Sequence, residues 1–99
     1  MSRSTSSIGE VRLRALVQGR VQGVGFRWFV LHHAQELRVT GWARNITDGR
    51  TVEVVAEGVR SSLEQLLEYL WVGPASAHVA NIDAEWNTSQ KEFTSFQIG

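Results

Sequence analysis

From Val11 to Gln18 the chain alternates: Val11, Leu13, Ala15 and Val17 fall on one side, and Arg12, Arg14, Leu16 and Gln18 on the other. A period of two is the mark of a half-buried strand, here with a mostly cationic outer face. After a glycine-rich turn the period changes. Phe26, Phe29, Val30, His33, Ala34 and Leu37 recur at helical spacing and make one apolar stripe, so a helix is expected that ends before Val39. "VTGWARNI" then reads as a strand, Asp48-Gly49 as a hairpin signal, and "TVEVVAE" as the next strand. Gly58 closes that strand. Ser61 and Glu64 have the spacing of a capping box at the start of a second helix, whose buried stripe is Leu63, Leu66, Leu67 and Leu70. Gly73 and Pro74 stop this helix, "HVANIDAEW" is a further strand, and "FTSFQI" a short last one.

The order β-α-β-β-α-β, with room for a fifth strand, predicts an α+β protein. Placing both helices on one face of a four- to five-stranded, mostly antiparallel sheet buries both stripes at once, which is a ferredoxin-like α/β sandwich. On the second strand Val39, Gly41, Ala43 and Asn45 share one face, and Thr40, Trp42, Arg44 and Ile46 the other. The small residues suit the side beneath a helix, because they let it approach closely. Asn45 should therefore project from the helix side at the end of its strand.

The 99 residues, 42% hydrophobic and 20% charged, match one globular domain, taken as residues 11–99 behind a frayed tail at 1–10. That tail is Ser-rich and lacks the apolar segment of a signal peptide or anchor. No apolar run approaches the roughly 18 residues that cross a bilayer, and the lack of cysteine leaves the compartment open with reducing cytosol as the default. Cysteine is absent, which excludes a disulfide framework, a thiolate zinc site and a cysteine nucleophile. The formal net charge of +0 argues against general binding to nucleic acid or acidic membrane. Charge is unevenly spread, however: no carboxylate lies between Glu10 and Glu36, while Arg12, Arg14, Arg20 and Arg27 all do. A solvated face is the ordinary explanation of such a window. His32 and His33 are adjacent on one helix and His78 is far away, so no spacing suggests a metal site. His33 is expected as a hydrogen-bonded core histidine, and Trp28, Trp42, Trp71 and Trp86 as packing or surface residues.

The turn "GRVQGVGFR", Gly19 to Arg27, joins a strand to a helix start. Such a junction is a recurrent anion site, because the first helical N–H groups lack partners and the helix dipole favours negative charge. Gly19, Gly23 and Gly25 allow the turn to curl until several amides converge, and Arg27 could add a two-pronged guanidinium contact to a phosphate. A cation in the first helical turn is unfavourable by about 0.3–1 kcal/mol unless an anion offsets it. The pattern is neither the nucleoside-triphosphate loop nor the dinucleotide fingerprint, and a plain turn is the competing explanation. Asn45 cannot titrate, but its amide can hold a water as donor and acceptor; local bonding near the hairpin is the alternative.

"GRVQGVGFR", "GWARN", "DGRTVEVVAEG" and "GPASAHV", in this order, resemble the acylphosphatase family over Val11 to Ile98. The resemblance implies metal-free hydrolysis of small acyl phosphates to a carboxylate and inorganic phosphate, with no cofactor and no covalent intermediate. It implies a phosphate cradle of Gly19, Arg20, Val21, Gln22, Gly23, Val24 and Gly25, a phosphate-binding Arg27 and a water-orienting Asn45. A monomer is expected. Three departures stand out: Thr51 is an extra residue before Val52, expected as a bulge or longer turn; Ala43 replaces a common valine; and Pro74 lacks a second proline after it. Two other functions share the fold. One is a silent small-anion binder. The other is a single-stranded RNA module using an open sheet face of Arg12, Arg14, Leu16, Trp42 and Arg44, against which stand Glu53 on the same face and the absence of an RNP1 pattern.

Overall fold

The two periodicities become two kinds of element in the computed structural model, which describes residues 10–99. They run β1 (Glu10–Arg20), α1 (Phe26–Glu36), β2 (Thr40–Asn45), β3 (Thr51–Val59), α2 (Arg60–Val72), β4 (His78–Thr88) and β5 (Phe96–Ile98). The tail expected at 1–10 falls on residues outside those described, except for Glu10, which opens β1 opposite Val59.

One five-stranded sheet has the order β4-β1-β3-β2-β5. β1 lies antiparallel to both β3 and β4, β2 antiparallel to β3, and β5 parallel to β2. The sheet is therefore mixed, with one parallel edge strand, and both helices cover a single face of this ferredoxin-like α+β fold. Leu13, Ala15 and Val17 of β1, Ala43 of β2, and Val52, Val54 and Ala56 of β3 meet Phe26, Val30 and Ala34 of α1 and Leu63, Leu66 and Leu70 of α2 in one core. Each such leucine contributes about 1.5–3 kcal/mol by leaving water. Gly41 lets β2 pair closely with β3: at φ +144 a Cβ there would sit inside the Val55 carbonyl oxygen of that neighbouring strand.

One local expectation is corrected, and of the two alternatives for Thr51 the longer turn is the one found. The Ser61–Glu64 capping box does not form, because β3 runs straight into α2 at Arg60, with Val59 as the N-cap and no side-chain cap bond. Ser61 is thereby inside the first turn, and Glu64 instead receives Arg60 Nε at 3.2 Å. The extra Thr51 makes no bulge between β2 and β3, whose register runs unbroken from Thr40↔Glu57 to Asn45↔Val52. It lengthens the turn: Ile46 N–H donates to the Thr51 carbonyl at 2.9 Å, and Asp48 accepts from Arg50 N–H at 2.9 Å and Thr51 Oγ1 at 2.5 Å. The sheet's irregularity lies elsewhere, between Gln18 and Gly19 where β1 passes β4.

Candidate active site

β1 and β2 are both antiparallel to β3, so they run the same way and end at the same edge of the sandwich. The turn after β1 and the start of α1 are at that edge, as is Asn45, the last residue of β2. β5 ends there too, with Gly99 N–H donating to the Ala43 carbonyl at 2.9 Å. The residues singled out in the sequence are thus collected by topology.

Arg20 closes β1, exposed and opposite His78. Gly19, one residue earlier, has φ +138, and a Cβ there would overlap the His78 carbonyl oxygen; its N–H donates to the Arg50 carbonyl at 3.0 Å. Val21 is 1% exposed and anchors the turn in the core, while Val24 is half-buried against it. Gly23 and Gly25 are exposed, and Gly25, at φ 79 in the left-handed region, is the N-cap of α1. No side chain caps that helix, and its first turn carries no acidic residue. Among the described residues, none of the N–H groups from Gln22 to Gly25 donates to a main-chain carbonyl. Free amides and a bare helix start at one place make a set of donors suited to an anion.

Arg27 is half-buried in the first turn of α1, and its Nη1 donates to the Gly99 oxygen. This draws the guanidinium toward the β2–β5 side. Asn45 is half-buried on the helix side, as its parity predicted, and its Oδ1 is buried with no hydrogen-bond partner. A buried acceptor left unmatched costs about 1–3 kcal/mol, so its presence at a strand end beside the cradle marks a place where a small donor belongs. Gln22 differs from the expectation in one respect: its side chain is committed to the hairpin, donating to the Ile46 and Thr51 carbonyls at 2.8 and 2.9 Å. It has only its main-chain N–H to offer an anion.

Sequence reasoning missed the partners of these residues. Gln22 and Arg27 could be picked from the motif, but not the carbonyls of Ile46 and Thr51 or the oxygen of Gly99. His33 is hydrogen-bonded as expected, but outside the core. Glu36 is three residues from His33 and four from His32, and its long side chain lies between both rings, with Oε1 3.1 Å from His33 Nδ1 and Oε2 3.6 Å from His32 Nε2. The three potential ligand atoms fall within 4.8 Å of one another, although on the exposed side of α1. His33 is half-buried between the helices rather than in the core, stacked on Tyr69 at 3.7 Å between ring centroids.

On the open face Glu53, 6% exposed, accepts Arg14 Nε at 2.7 Å and Arg44 Nη2 at 3.3 Å. Arg44 lies over Trp42, 4.3 Å from the ring centroid, and Arg12 pairs with Glu57 and Glu92. Cations matched in this way, with the aromatic ring covered, leave little of the basic stacking platform that single-stranded nucleic acid uses.

The acylphosphatase family model matches residues 13–98. The chain is 49% identical over 88 residues to an acylphosphatase from Thermobifida fusca, covering 89% of this chain and 96% of that protein. Its structure is similar to that of an acylphosphatase from Coxiella burnetii, with a TM-score of 0.90, 36% identity, and 98% and 100% of the two chains covered. It is also similar to the acylphosphatase from Bacillus subtilis, with a TM-score of 0.86, 37% identity, and 90% and 98% covered.

Proposed function

From the premise that this chain belongs to the acylphosphatase family and hydrolyses acyl phosphates, we propose that Gly19 to Gly25 and Arg27 hold the phosphoryl group while Asn45 orients the attacking water. The amides of the turn and the start of α1 surround the phosphoryl oxygens, and Arg27 supplies a guanidinium with a flat pair of donors for them. In the reaction, the water oxygen forms a bond to phosphorus and the anhydride P–O bond breaks, releasing a carboxylate. That leaving group is stable as an anion and needs no proton. The water's proton goes to a phosphoryl oxygen of the product, so no titrating base is required of Asn45. Most of the work is positioning and charge stabilisation of a loose transition state.

The observation that carries these roles is the buried, unpartnered Oδ1 of Asn45. A water donating to it satisfies the oxygen and has its own lone pair turned outward to the cradle. The experiment is hydrolysis of benzoyl phosphate by the purified protein in the presence of chelator, with Arg27→Ala and Asn45→Ala beside the wild type. Turnover by the wild type and its loss in both folded variants is expected. Unchanged turnover in either variant would remove that residue's role. A single copy of the chain, a small-molecule substrate and a cytoplasmic setting complete the proposal; among the described residues no helix is long and apolar enough to cross a membrane. Sedimentation at the concentration of the assay tests the first of these.

A further inference from the structure

The cradle and the water-holding residue stand on different elements, Gly19 to Gly25 after β1 and Asn45 at the end of β2. Phosphoryl transfer is sensitive to the gap between them. Gln22 bridges it. Its Nε2 donates to the Ile46 carbonyl at 2.8 Å and to the Thr51 carbonyl at 2.9 Å, gripping the hairpin at the residue next to Asn45 and at the start of β3. The two anchor points are themselves joined, since Ile46 N–H donates to the Thr51 carbonyl at 2.9 Å. A primary amide has two N–H donors, and both are spent here on main-chain acceptors. The residue before it, Val21, is 1% exposed in the core, so successive residues of the turn are pinned in two directions.

We infer that Gln22 is a positioning residue that sets the distance between the phosphoryl group and the water, acting through the hairpin that carries Asn45. This rests on the roles proposed above for the cradle and Asn45. Ground-state phosphate binding depends on main-chain amides and Arg27, which the Gln22 side chain does not supply. Reaction depends in addition on the water standing in line, and a misplacement of about 1 Å costs on the order of 100-fold. Loss of the tether should therefore reach kcat and spare phosphate affinity.

The test uses Gln22→Met, which keeps the length without donors, and Gln22→Glu, which keeps the shape but turns acceptors toward acceptors. Turnover of benzoyl phosphate, inhibition by inorganic phosphate, and hydrogen exchange of the Ile46 and Gly19 amides are measured in each. Expected are a kcat at least about 10-fold lower, a phosphate inhibition constant within about twofold of the wild type, and faster exchange at Ile46 in a protein that is otherwise folded. Phosphate inhibition weakening in step with kcat would overturn the inference, because Gln22 would then be a direct phosphate ligand. Wild-type kcat and wild-type exchange in both variants would overturn it as well. A wild type without turnover would sink the roles of Arg27 and Asn45; exchange would still decide the tether, acceleration supporting it and no change refuting it.

Discussion

Replacing Asn45 by alanine should lower activity far more than stability, because the side chain carries a buried oxygen with no partner within the folded chain. The water proposed to satisfy Oδ1 leaves with the side chain and regains its hydrogen bonds in bulk, so the polar exchange is close to neutral. Deleting a half-buried carboxamide forfeits roughly 1 kcal/mol of packing and burial. The net is a loss of no more than about 1 kcal/mol, and in a domain of this size 1 kcal/mol moves Tm by about 4–8 °C. Turnover should fall on the order of 10²–10³-fold, the usual loss when one preorganised group at the reacting atoms is removed. Thermal unfolding followed by circular dichroism, alongside benzoyl phosphate hydrolysis, separates the two effects. A variant destabilised by more than about 1 kcal/mol would show that Oδ1 is bonded to another group of the folded chain and is not free to hold the water. That result would refute the reasoning at its origin, whatever the activity.

Arg27→Ala should weaken inhibition by inorganic phosphate by about 10-fold or more, since hydrogen bonds from a charged group are worth about 1.5–3 kcal/mol each; an inhibition constant equal to the wild type's would show that the guanidinium does not meet the anion. Glu53→Gln should destabilise by about 1–3 kcal/mol, read from urea unfolding, because it removes the charge shared by Arg14 and Arg44 at 2.7 and 3.3 Å. The same variant uncovers two cations beside Trp42, so weak, salt-sensitive binding of single-stranded RNA should appear in it and be absent from the wild type. The carboxyl of Asp48 is held below its ordinary value of 3.8 by the Thr51 hydroxyl first and the Arg50 N–H second. Because the folded pKa is the lower one, this stabilisation is full above 3.8 and is lost as pH falls through the lowered value, so Asp48→Asn should flatten that acid limb of the stability curve.

Strand parity and helical stripes made most of the fold legible, since each records which side of an element leaves water. Asn45 illustrates the strength of that record. Its place on the helix side follows from alternation with Gly41 and Ala43, and the extra Thr51 comes after it, so the longer turn cannot change its face. The capping box at Ser61 shows where local pattern fails: spacing identifies residues able to cap, but the direct passage from β3 into α2 decides which residue stands at the helix start.

The site is legible to a different depth. Once β1 and β2 are both antiparallel to β3, the end of β2 and the beginning of α1 must lie at one edge, so Arg27 and Asn45 share that edge as a consequence of element order alone. How far apart they stand is another matter. That gap is fixed by contacts between residues 24, 29 and 72 positions apart, Gln22 to Ile46, Gln22 to Thr51 and Arg27 to Gly99. All three acceptors are main-chain oxygens, groups that every residue possesses and that no pattern of side chains can announce. Topology brings the proposed catalytic groups to the same edge, and the Gln22 amide is the tether inferred to set the spacing between them.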